Sequence, residues 1–227
     1  MNADMINLDG LMQQGNVWRA GDARVREQSG IPTGFDALDA HLSGSGWPMG
    51  ALTEILCDRQ GVGELSLVLP ALARLSHEGR WLAWIAPPHI PYAPALAAHG
   101  VDVSKVLVVH PRAEADMLWT VEQALRAGTC GAVLVWPRLI SEHNLRRLQL
   151  AAETGQSWGI LFRTTWAATQ ASPAALRLRL DPTQSGGMSV RVLKRRGGWP
   201  MGPIYLNPDA LLDAQDAPLD IRHEVSG

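Results

Sequence analysis

Lysine is almost missing from this chain: 18 of its 20 basic residues are arginine, and only Lys105 and Lys194 are lysine. Cysteine is as scarce, with Cys57 and Cys130 alone. Two thiols beside apolar runs exclude a disulfide framework and read as reduced, buried groups. Phenylalanine and tyrosine number two each against nine tryptophans. An excess of charge is also lacking: 20 basic against 22 acidic residues leave a net −2 and a pI near 6.4. That excludes a protein held to nucleic acid by total charge, though not a local basic patch. The longest apolar runs, such as residues 132–137, fall far short of the ~18 residues of a membrane span. Asp4 and Asp9 stand where a secretory leader has its basic region, so no leader and no membrane partner are expected. The seven histidines show no metal-ligand spacing, and no G-x-S-x-G elbow marks a serine nucleophile.

What is present is a foldable chain. Of 227 residues, 46% are hydrophobic and 19% charged, enough for one α/β domain with short appendages. Residues 1–28 read as a polar arm and linker with Leu8, Leu11, Met12 and Trp18 as apolar anchors. Alternating units follow. Short continuous apolar runs at 51–57, 81–86, 106–110, 132–136 and 159–162 predict strands covered on both faces. Between them, apolar residues at three- and four-residue spacing predict helices at 64–78, 92–99, 113–127 and 141–153, several closed by glycine. Such alternation predicts a mainly parallel sheet flanked by helices.

The ending differs. Residues 176–181 and 189–195 alternate charged and apolar positions around Gln184-Ser185-Gly186-Gly187, a β-hairpin signal, and 204–206 offers a last short strand. The hairpin carries Arg177, Arg179, Arg191, Lys194, Arg195 and Arg196 against Asp181, a net +5; beyond Trp199 five acidic residues face Arg222, a net −4. The hairpin therefore predicts a phosphate or acidic-partner contact, with Trp199 as an anchor. Three regions result: the arm at 1–28, a core at 29–206 and an acidic tail at 207–227.

The first strand-to-helix turn, the usual phosphate site of such a sheet, reads Cys57-Asp58-Arg59-Gln60-Gly61-Val62-Gly63-Glu64-Leu65. Glycines remain, but Glu64 and Leu65 stand where a working P-loop has Lys and Ser/Thr.

Pro32-Thr33-Gly34-Phe35-Asp36-Ala37-Leu38-Asp39, followed by residues 46–55, resembles the opening of the RecA core. More closely, residues 31–206 resemble ImuA, the RecA-like accessory family of bacterial translesion synthesis, some members of which carry a SulA-like label. The resemblance implies a RecA-like fold and a non-catalytic adaptor of the SOS mutasome. Its implied partner is ImuB, with RecA and an error-prone replicative-type polymerase behind it. It also implies weak DNA contact through the hairpin arginines and a cytoplasmic, nucleoid-associated location. The second strand ends Ala86-Pro87-Pro88 and the fourth Val135-Trp136-Pro137, where RecA has carboxylates. With the altered turn at 57–64, this implies a pseudo-ATPase without cofactor. Two other readings stay open: a SulA-like SOS cell-division inhibitor acting on the tubulin-like FtsZ, and a divergent DNA-dependent ATPase.

Overall fold

In the computed structural model, residues 30–59, 61–184 and 186–207 are described. Eight strands form one sheet: β1 (Ala51–Leu56), β2 (Trp81–Ile85), β3 (Val106–Val109), β4 (Cys130–Val135), β5 (Trp158–Arg163), β6 (Leu176–Pro182), β7 (Met188–Arg195) and β8 (Met201–Leu206). Their order is β3-β2-β4-β5-β1-β6-β7-β8. The helices are α1 (Asp36–Asp39), α2 (Leu69–His77), α3 (Ala93–Ala98), α4 (Glu114–Arg126) and α5 (Glu142–Gly155). No helix among the described residues is long and apolar enough to cross a membrane.

Strands form where the apolar runs were read, and β1, β4 and β5 are buried along their whole length; β3, expected to be covered on both faces, is instead an edge strand with Leu107 and Val108 exposed. Helix starts and stops follow local chemistry. The Ser141 hydroxyl accepts from the Asn144 N–H at 3.2 Å and caps α5, and Pro70 sits in the first turn of α2, where its missing N–H costs nothing. The helix expected from residue 64 begins only at Leu69; the chain first passes through turns, with Gly63 at φ +93°.

The expected RecA-like core is corrected here to a single mixed sheet. β6 pairs in parallel with β1, while β7 and β8 run antiparallel to their neighbours. The hairpin is thus no appendage, and the reason is its apolar face. Leu176, Leu178, Leu180, Met188, Val190, Val192 and Leu206 join one buried cluster with Leu72 of α2 and Trp47. A second cluster lies between the other sheet face and α4 and α5. Trp47, fully buried, stacks on Trp158 at 5.0 Å between centroids, and the Trp158 indole N–H donates to the Thr53 hydroxyl at 2.9 Å.

Candidate interaction surface at the carboxyl ends of the strands

The turn after β1 is closed by its own carboxylate. Glu64, buried, accepts from the Gly61 N–H at 2.9 and 3.0 Å and from the Val62 N–H at 3.0 Å. N–H groups of this kind are what a helix start would offer an anion; here they are taken. Gly61 holds φ +80° and Gly63 φ +93°, values that suit glycine. The Cys57 thiol is pushed up to about 11, by burial first and then by the charges of Glu64 and Asp58. Asp58, exposed like Arg59, accepts from the Thr165 hydroxyl. An aromatic stack crosses the ends of β2, β4 and β5: Trp84 of β2 on Trp136, just past β4, at 5.7 Å, and Trp136 on Phe162 of β5 at 4.8 Å.

Beside that turn lies a buried ionic cluster. Glu54, in the middle of β1, has no exposed surface. Its carboxylate accepts from Arg163 Nη1 at 2.6 Å and Arg177 Nε at 2.5 Å. Arg163 also donates to the Gln170 side chain at 2.7 Å. Arg177 donates to the carbonyls of Ala167 at 2.6 Å and Gln170 at 3.1 Å. Lys194 Nζ reaches the Ser172 carbonyl at 2.7 Å. The connection from β5 to β6 is therefore pinned from below by three cations. Arg177 and Lys194 thereby hold three of its backbone carbonyls, those of Ala167, Gln170 and Ser172.

That arrangement divides the basic residues read from the sequence. Arg177 is buried, so it is no surface contact: the β1–β6 register sets it directly beside Glu54. Arg179 pairs with Asp181 at 3.0 Å on the surface, and Arg195 donates to the His41 carbonyl. Arg191, Arg196 and Trp199 are exposed, Trp199 by 85%. Leu8, Leu11, Met12, Trp18, Gln60 and the tail beyond Asn207 lie outside the described residues.

The sequence reading missed an apolar rim. Ile90 is 84% and Tyr92 71% exposed on the connection leaving β2; Leu139 is 67% exposed on the connection leaving β4. β2 and β4 are neighbours and parallel, so both connections leave the same edge of the sheet. Ala86, where β2 ends, holds φ +50°, a strained conformation for alanine. The signal was present in Pro87-Pro88-His89-Ile90-Pro91-Tyr92, where large apolar side chains stand inside a segment of turn residues.

The family model described as "Cell division inhibitor SulA" matches residues 50–159. A cell division inhibitor SulA of Edwardsiella piscicida is 41% identical over 101 residues, 44% of this chain and 60% of that protein. One of Pectobacterium atrosepticum is 30% identical over 138 residues, 59% of this chain and 80% of that protein. The chain belongs to the SulA family. The crystal structure of SulA from Pseudomonas aeruginosa aligns with 49% of this chain and 97% of that one, at 29% identity and a TM-score of 0.42.

Membership of the SulA family overturns the ImuA reading. ImuB, RecA and the error-prone polymerase are withdrawn as partners with it, as are translesion synthesis and DNA contact. The hairpin arginines expected to meet DNA are partly spent on internal bonds. The description of the SulA family is that of an inhibitor, not of a catalyst. The pseudo-ATPase reading falls as well, since it measured Glu64, Pro88 and Trp136 against an enzyme to which the chain is not assigned.

Proposed function

We propose that this chain is a SulA-like SOS inhibitor of cell division that binds FtsZ in the cytoplasm and keeps it from assembling. The observation that carries the reading is the alignment to the Pectobacterium inhibitor across 80% of that protein. A function common to a family resides in the part its members share, here residues 50–159. Within that part the rim of Ile90, Tyr92 and Leu139 is the proposed contact. Large apolar groups on a protruding edge are the anchors that protein interfaces bury. The mode of action is stoichiometric, by occupation of a surface FtsZ needs for polymerisation.

The test is sedimentation of FtsZ assembled with GTP. Pelleted FtsZ should fall in proportion to added chain and vanish near equimolar amounts. Undiminished pelleting at large excess of the chain sinks the proposal. Ile90→Asp and Leu139→Asp, both at exposed positions, should keep the melting temperature and lose the inhibition. If they still inhibit, the rim is the wrong surface while the FtsZ reading stands.

A further inference from the structure

A further aromatic stands on the edge that carries the apolar rim. Trp166 is 60% exposed in the turn Thr165–Thr169 that leaves β5. β5 is parallel to β4 and to β1 and lies between them in the sheet. Trp166 therefore leaves the same edge as Ile90, Tyr92 and Leu139. In strand order it stands between Arg138, on the connection after β4, and Arg59, in the turn after β1. Both arginines are exposed, and neither has an ion pair among the described residues. Asp58, next to Arg59, accepts from the Thr165 hydroxyl. Trp166 lies outside the residues that match the family model, so the part shared with relatives does not account for it.

The turn is held from beneath by buried groups. Arg177 donates to the carbonyls of Ala167 and Gln170, and Arg163 to the Gln170 side chain. The Trp166 carbonyl itself accepts from the Thr169 hydroxyl at 2.9 Å. Among the described residues one carboxylate, Glu54, pairs with both Arg163 and Arg177, which leaves a positive charge in surplus. A buried cluster of that kind is a poor source of stability. What it secures is the position of the turn, and with it an indole held outward. A side chain fixed before binding loses little freedom on binding, and Trp and Arg dominate the energetics of protein interfaces. We infer, on the FtsZ reading above, that Trp166 is an anchor of the contact with FtsZ. The indole enters an apolar hollow of FtsZ bordered by carboxylates, which Arg59 and Arg138 meet.

The experiment follows binding of the full chain to immobilised FtsZ by surface plasmon resonance. Trp166→Ser should weaken binding about thirtyfold, the scale of an interface hot spot, chiefly through faster dissociation. Trp119→Ser removes an indole of matching exposure, 62%, from α4 and should bind as the wild type does. Arg59→Glu with Arg138→Glu should slow association about tenfold at low salt and flatten its salt dependence. Both arginines are exposed, so this variant decides the matter even where Trp166→Ser does not fold. Wild-type affinity in a folded Trp166→Ser overturns the inference. So does an unchanged association rate in the arginine variant, or an equal loss in Trp119→Ser. Each of those results leaves FtsZ binding itself standing, whereas a wild-type chain that binds no FtsZ overturns both readings.

Discussion

Glu54 is the residue on which the sheet's polar interior depends. Removing one member of a buried pair leaves an unpaired charge, at a cost of about 3–5 kcal/mol. Glu54→Gln strands two guanidiniums and should lose stability on that scale in urea titrations. Replacing the whole set at once, Glu54→Leu with Arg163→Met and Arg177→Met, removes the surplus charge too and should cost less. A Glu54→Gln loss below about 1 kcal/mol would mean that the cluster is solvated. Cys57 offers a test by pH. Its folded pKa, about 11 against an ordinary 9.0, is raised, so the folded state holds the proton more tightly. Its contribution to stability is full below pH 9 and is lost as pH climbs through about 11. At pH 8 about one thiol in a thousand is ionised, so native Cys57 should resist a disulfide reagent that modifies it readily in denaturant.

Between elements, backbone approaches set the limits. A Cβ on Gly155 would stand 1.9 Å from the Leu125 carbonyl oxygen, so α4 and α5 meet with no room for a side chain. Alanine would gain about 1 kcal/mol of helix propensity, yet forcing the helices apart costs roughly 1–3 kcal/mol. Gly155→Ala should therefore lower the melting temperature, and an increase would show that the helices separate freely. The turn at 57–64 behaves differently. Gly61 has open space around its missing Cβ, whereas a Cβ on Gly63 would lie 2.7 Å from the Met188 methyl. Both hold positive φ, so each alanine costs about 1–2 kcal/mol in backbone strain. Gly63→Ala should be the worse of the two, by the price of moving Met188. Equal losses would show that Met188 swings aside freely.

For the whole molecule, the hairpin's place in the sheet makes an unfolding prediction. β6 bonds to β1, which is flanked on its other side by β5, and one apolar cluster runs from α2 to β8. The hairpin should therefore open only with the rest. Amide exchange at Leu178 and Val190 should proceed at the rate of global unfolding. Faster exchange there than at Leu134 and Ile160 would make the hairpin a separate unit. The same continuity places the rim of Ile90, Tyr92 and Leu139 and the exposed Arg191 of β7 on different parts of one sheet. Substitutions at the two should then add in their effects on stability.

The alternation of strands and helices was legible because continuous apolar runs are what a sheet covered on both faces demands. The hairpin was legible from its period of two, and the unusual turn from Glu64. What misled was the likeness to ImuA over residues 31–206: a shared α/β pattern does not by itself decide between families, and residues 50–159 match the SulA family model. The fate of the arginines lay beyond any sequence reading. Arg177 and Arg179 stand two apart on one strand with the same chemistry. The first is buried on Glu54, 123 residues away in the chain, and the second pairs with Asp181 at the surface. Composition and periodicity determined which segments become strands and helices, because those depend on neighbours along the chain. Tertiary structure alone decided which charges are neutralised inside and which apolar residues are left outside, because the register between strands distant in sequence chooses each side chain's partner.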